Sequence, residues 1–227
     1  TYGSTADDGS DVIFTGPSAI ITTGGTGVGK DFYNVTIFTS GTVTLNGNLN
    51  TVNALNIYTG TLDIANYTVT IGGNILAINL FEADNTSAIL ASGGNMTVTG
   101  AILAASLYNG YQENLNLTGF TGTISANGLG ILGNGDIGQL LSTEGNAVVN
   151  LGDNLTFNLG EVNQGLVIDG DSFYMESSAS GTNTVNAGAS TLALTGDFNL
   201  AGGTFNADTS SISVAENWIN SGTFNCG

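Results

Sequence analysis

Gly203-Thr204-Phe205-Asn206-Ala207 returns nineteen residues later as Gly222-Thr223-Phe224-Asn225-Cys226. The same Gly-Thr entry opens Gly41-Thr42-Val43 and Gly60-Thr61-Leu62, again nineteen apart, and Gly122-Thr123-Ile124. From Gly60 to Gly122 is roughly three such steps, so one unit of about 20 residues is expected to run through the chain. A second signature is Gly, then Asn or Asp, then an apolar residue. It appears as Gly47-Asn48-Leu49, Gly73-Asn74-Ile75, Gly94-Asn95-Met96, Gly135-Asp136-Ile137 and Gly196-Asp197-Phe198. Glu113-Asn114-Leu115 and Glu216-Asn217-Trp218 are degenerate members.

Between these signatures the chain alternates. Thr42-Val43-Thr44-Leu45, Thr68-Val69-Thr70-Ile71, Thr191-Leu192-Ala193-Leu194 and Ser211-Ile212-Ser213-Val214 each place apolar side chains on one face of a short strand. A turn-prone residue follows each run. Only Ala101-Ile102-Leu103-Ala104-Ala105-Ser106-Leu107 departs from this pattern, and it reads as a short helix or a wide coil segment.

A unit of this size cannot bury its own apolar face, so neighbours must stack. The predicted fold is all-β, a parallel β-helix (β-solenoid) with coils of about 20 residues, in which Phe205 lies over Phe224. Ten or eleven coils at about 4.8 Å each would make a rod of about 50 Å. An antiparallel sandwich or barrel also fits strands of this length, but gives no reason for turn motifs at a fixed spacing. Residues 1–11 read as an N-terminal arm or cap, and 12–227 as a single solenoid domain with irregular insertions within about 78–180. Tyr108, Tyr111 and Gln112 mark one insertion; Phe173, Tyr174 and Met175 mark another.

Composition narrows the function. The 227 residues carry eighteen acids, one Lys and no Arg or His, for a net charge of −17. Gly, Thr and Asn, with 35, 30 and 28 copies, fill 93 positions, the mixture expected of strands and tight turns. A nucleic-acid partner is excluded for want of basic side chains, and no apolar run approaches the length of a membrane-spanning helix. Histidine chemistry and arginine clamps are absent by inventory, and the chain is expected not to be an enzyme. A polysaccharide hydrolase working with carboxylates alone, Asp169 and Asp171, is the weaker alternative.

Gly24-Gly25-Thr26-Gly27-Val28-Gly29-Lys30 has the spacing of a phosphate-binding loop, but Asp31 stands where that loop needs Ser or Thr, and a strand follows where a helix should begin. It reads as a flexible turn. Asp7, Asp8 and Asp11 would suit Ca²⁺, though without a known calcium-loop spacing; no cofactor is expected otherwise. Glycosylation sequons stand at Asn34, Asn66, Asn85, Asn95, Asn116 and Asn154, where a structural turn Asn is the competing role.

Gly203-Thr204-Phe205-Asn206-Ala207 and Thr68-Val69-Thr70-Ile71-Gly72-Gly73-Asn74 resemble the Gly-, Asn- and Thr-rich repeats of secreted microbial surface proteins, adhesins and filament- or wall-associated proteins of parallel β-helical architecture. The resemblance covers about 40–77 and 181–227. It implies an extracellular or cell-surface location and supplies no catalytic residues. The expected function is a structural subunit of an extracellular filament or surface layer, joined to copies of itself head to tail. Gly222, Thr223, Phe224, Asn225 and Cys226 form the expected assembly end. A monomeric adhesin or glycan-binding stalk domain is the alternative.

Overall fold

A computed structural model describes residues 11–27, 30–108, 110–132, 135–137, 141–143, 146–151, 155–159, 173–175 and 182–227. The strands are β1 (Asp11–Phe14), β2 (Ser18–Ile21), β3 (Asn34–Leu45), β4 (Leu49–Thr51), β5 (Leu55–Asp63), β6 (Thr68–Ile71) and β7 (Ile75–Asn79). Then come β8 (Asn85–Ser106), β9 (Gln112–Asn116), β10 (Phe120–Leu132), β11 (Gly135–Ile137), β12 (Leu141–Thr143), β13 (Asn146–Asn150) and β14 (Leu155–Leu159). The last are β15 (Phe173–Met175), β16 (Thr184–Asn186), β17 (Thr191–Leu194), β18 (Phe198–Leu200), β19 (Thr204–Asp208), β20 (Ser211–Val214), β21 (Trp218–Asn220) and β22 (Thr223–Cys226). Twenty of them form one connected sheet system in which every pairing is parallel; β11 and β12 pair apart from it, antiparallel.

The architecture is all-β, parallel and repetitive, a solenoid-like stack of three columns that the chain visits in turn. In column one, Val12, Val35, Leu55, Ile75, Ile102, Leu129, Phe173, Phe198 and Trp218 are successive register partners. Column two runs from β2 through parts of β3, β5 and β8 to β9, β13, β16, β19 and β22. Column three runs through Leu49, Val69, Met96, Ile124, Phe157, Leu192 and Ile212. Alternation decides which side chains point in, and stacking decides what they meet.

Phe205 and Phe224 are register partners whose rings stack at 5.3 Å and 9°. Column one has nine rungs among the described residues, fewer than ten or eleven, because the middle rungs are longer. Val35, Leu55 and Ile75 are 20 residues apart, whereas Ile75, Ile102 and Leu129 are 27 apart. Ala101–Ser106 is not a helix but part of a wide rung: it ends β8, paired with β7 below and β10 above. Phe173-Tyr174-Met175 is a rung rather than a lateral insertion: Phe173 and Met175 are fully buried inward residues of β15. Of the expected arm, only Asp11 lies among the described residues, and it opens β1.

Both sequence signatures mark corners, not one column. The Gly-Thr entry leads into column two at Gly41, Gly60, Gly203 and Gly222 but into column three at Gly122. The run from Gly60 to Gly122 is therefore not a count of whole rungs. What these sites share is closeness. A Cβ at Gly203 would sit 2.6 Å from the Asn183 carbonyl oxygen, and one at Gly60 would run into the Thr39 carbonyl. Both glycines also hold positive φ, +76° and +95°, which side-chain-bearing residues rarely adopt.

The second signature has a different cause. Its side-chain oxygen accepts the backbone N–H of the rung that stacks on it: Asn48 from Thr68 at 3.0 Å, Asn74 from Ala101 at 2.8 Å, Asn95 from Thr123 at 3.1 Å and Asp197 from Asn217 at 2.8 Å. Corners interrupt the strand ladder, and these oxygens satisfy donors it leaves over.

Replacing Gly203 by Ala is expected to lower stability by about 1–3 kcal/mol, read as a lower urea midpoint. Gly24→Ala, where an added Cβ meets nothing within 4 Å, should leave the midpoint unchanged.

Candidate functional site

The last rung of the stack leaves part of an aromatic core open to solvent. Over its C-terminal half the core becomes aromatic. Phe173 stacks on Phe198 at 4.5 Å and 5°, and Phe198 on Trp218 at 4.2 Å and 11°. A second pile, Phe205 and Phe224, meets the first edge-on, with Phe198–Phe205 at 74° and Trp218–Phe224 at 75°. Offset stacks and T-shaped contacts are the arrangements aromatic quadrupoles favour. Phe173, Phe198 and Phe205 are fully buried, but Trp218 is 46% exposed. Ile212, Val214 and Phe224 are only partly covered. Among the described residues no strand pairs beyond β20, β21 or β22, so their outer backbone groups form an open parallel edge.

At the other end of the described residues β1 and β2 present the opposite edge of the same ladder, with Phe14, Ala19 and Phe32 partly covered against the core. All strands run the same way, so the two edges are complementary halves of the contact repeated at each internal rung.

The assembly residues expected from sequence share this end. Thr223, Phe224 and Asn225 extend the ladder from Thr204, Phe205 and Asn206, and Cys226, exposed and unbridged, follows a register shift opposite Asp208. Asn225 belongs to a file of amides. Asn150 donates to Asn114 at 2.8 Å, Asn186 to Asn150 at 2.7 Å, Asn206 to Asn186 at 2.8 Å and Asn225 to Asn206 at 2.8 Å. A shallow groove of about 400 Å³ follows this file, lined also by Thr118 and Asp208.

The other candidates fall elsewhere. Asn66 is exposed on a turn. Asn34 and Asn85 spend their side-chain N–H groups within the fold, Asn34 on Asp11 and Asn85 on Tyr58 O and Glu113. Asn95 accepts from Thr123 N, and Asn116 accepts from the hydroxyl of its own sequon's Thr118 at 2.8 Å. Asn154, Asp7, Asp8, Asp169 and Asp171 lie outside the described residues. Among the described residues no three metal-ligating side chains gather, and Asp11 accepts the Asn34 amide. In the loop-like Gly24–Lys30 string, Asp31 takes the Gly27 N–H at 2.9 Å, so the chain's own carboxylate occupies a donor that an anion would need.

Glu113, singled out in sequence only as a degenerate turn motif, is a site of another kind. It points inward from β9 and is fully buried. Asn85 donates to Oε2 at 2.8 Å, while Oε1 has no hydrogen-bond partner. Burial pushes its carboxyl up to about 7, against the pull of hydrogen bonds from Asn85 and Ser87. The signal was available in Glu113-Asn114-Leu115-Asn116-Leu117, whose alternation puts Glu113 on the same face as Leu115.

No family model matches the chain, and no curated protein or solved structure matches it significantly.

Because the folded pKa of Glu113 is raised, the folded state holds a proton that the unfolded state has lost between pH 4.5 and about 7. Stability is full below that window, falls as pH rises through it and is level above it. The loss is at most on the order of 3 kcal/mol. Melting curves should show Tm decreasing from pH 4.5 to 7.5, and Glu113→Gln should remove that part of the slope.

Proposed function

We propose that the three columns close into a parallel β-helix and that this rod is a structural subunit of an extracellular filament or cell-surface layer. Copies stack head to tail: the β20–β22 edge of one receives the β1–β2 edge of the next, extending both the hydrogen-bond ladder and the core. The observation that carries the reading is the aromatic pile ending at Trp218 and Phe224, which has a buried ring on one side and solvent on the other. Such a contact is heterologous and non-closing, the geometry that produces open fibres. It uses no catalytic group. A net charge of −17 sets copies repelling one another, which opposes extensive side-by-side packing. The groove beside the amide file favours a second reading, a monomeric adhesin or glycan-binding stalk. On either reading, glycans on exposed sequons such as Asn66 are compatible with a surface location.

Sedimentation and negative-stain microscopy of the purified chain should show rods that lengthen with concentration, and more so at higher ionic strength as repulsion is screened. The double variant Trp218→Asp and Phe224→Asp should stay monomeric while keeping its β-sheet circular dichroism. Wild-type chains that remain single at every concentration and salt level would overturn the filament reading.

A further inference from the structure

The three columns differ in what they show to solvent. The outward side of column one is covered over its middle rungs by a second apolar cluster, in which Ala101, Leu103 and Ala105 are fully buried. Column two carries Asp63 outward and the amide file, whose hydrogen bonds are made internally. Column three is unlike both. Its strand segments contain no Asp, Glu, Lys or Arg in a chain of net charge −17.

Column three also keeps strict register from β6 to β20. Thr68, Asn95 and Thr123 form one outward line that Thr191 and Ser211 resume two rungs on, and Thr70, Thr97 and Ser125 form a second that Ala193 and Ser213 resume, with the backbone register carried between them by β14. Val69, Met96, Ile124, Phe157 and Leu192 between the lines are buried, which holds each strand flat against the core. The hydroxyls of Thr68, Thr70, Thr97, Thr123, Thr191 and Ser211 make no hydrogen bond within the described chain.

We propose that column three is an ice-binding face, its partner the ordered oxygen lattice of a prism plane. The array repeats at about 4.8 Å between rungs and about 6.6 Å between alternate residues of a strand, within about a tenth of the two oxygen repeats of that plane. Each Thr supplies a hydroxyl that can replace a lattice water and a methyl that fits between lattice sites. A neutral face suits a neutral lattice, since a fixed charge would hold its own hydration shell against the ice. A crystalline polysaccharide is the less suitable occupant: sugar ring faces are taken up by stacked aromatic side chains, and these two outward lines contain none. The inference stands independently of head-to-tail assembly.

The test is ice recrystallisation in a frozen sucrose film containing the purified chain. Wild-type protein should hold crystal size constant at micromolar concentration. Thr97→Tyr and Thr191→Tyr, each placing a ring on the exposed array, should lose that effect with unchanged melting temperature. Thr86→Tyr, on the exposed side of column two, should retain it. The inference is overturned if wild-type protein acts no better than an equal mass of albumin, or if Thr86→Tyr is as damaging as the other two. Binding to crystalline cellulose or chitin that Thr97→Tyr abolishes, without any effect on ice, would overturn it in favour of a polysaccharide partner.

Discussion

Apart from β11 and β12, each strand within the stack finds its hydrogen-bond partners in the rung before and the rung after, at the same position and in the same direction. That parallel, in-register pairing is the constraint on which the rest depends. It forces like to sit on like: Val35 on Leu55, Phe173 on Phe198, Asn186 on Asn206. A side chain is therefore chosen against its counterparts above and below as much as against the opposite wall. Aliphatic piles at one end and aromatic piles at the other are two solutions to that one requirement. The buried surface, rather than any strand alone, supplies the stability, since isolated three- or four-residue strands have no independent existence in water.

Corners set the limits of this regularity. Where the chain turns between columns, backbone approaches backbone and the ladder is interrupted. Glycine resolves the first problem and a short amide or carboxylate the second. Both solutions are local, which explains why the same tripeptides recur at corners of different columns. It also explains how the middle rungs lengthen from 20 to 27 residues without loss of register: the extra residues leave at corners, as at Asn79, whose amide holds Ala83 O at 2.7 Å and Gln112 O at 2.9 Å. Solenoids tolerate insertions in this way because each rung is bound only to its neighbours.

Much of the architecture was legible because stacking writes itself into sequence as repetition. Phe205 over Phe224 followed from the spacing of two pentapeptides, and the inward faces followed from alternation. Other features were not legible, for physical reasons. Gly122 shares its tripeptide with Gly60 but serves another corner, since closeness of backbones, not membership of a column, selects glycine. Phe173–Met175 follows Gly170-Asp171-Ser172, a lengthened form of the second signature, but it stands 44 residues from its partner Leu129 and 25 from Phe198, so the fixed spacing that marks a rung is missing. Ala101–Leu107 is apolar on both faces, and alternation cannot be seen where both sides of a strand are covered. Glu113 was obscured by its type: a carboxylate is expected at a turn, and only the periodicity of its neighbours places it inside. The stacking of the last rung's Thr223, Phe224 and Asn225 on Thr204, Phe205 and Asn206 could be foreseen from sequence, but not the perpendicular aromatic piles that bring Trp218 beside Phe224.

The file from Asn114 to Asn225 has a direction as well as a length. Every amide in it donates toward the rung that precedes it, so the side-chain dipoles add rather than cancel. The later rungs of column two therefore carry a local electrical axis along the stack, fixed by covalent order and independent of the net charge. The two ends of the file are chemically unequal: among the described residues no amide of the file meets the oxygen of Asn225, whereas at its other end, on β9 midway along column two, the file closes on the oxygen of Asn114. A body built this way can tell up from down.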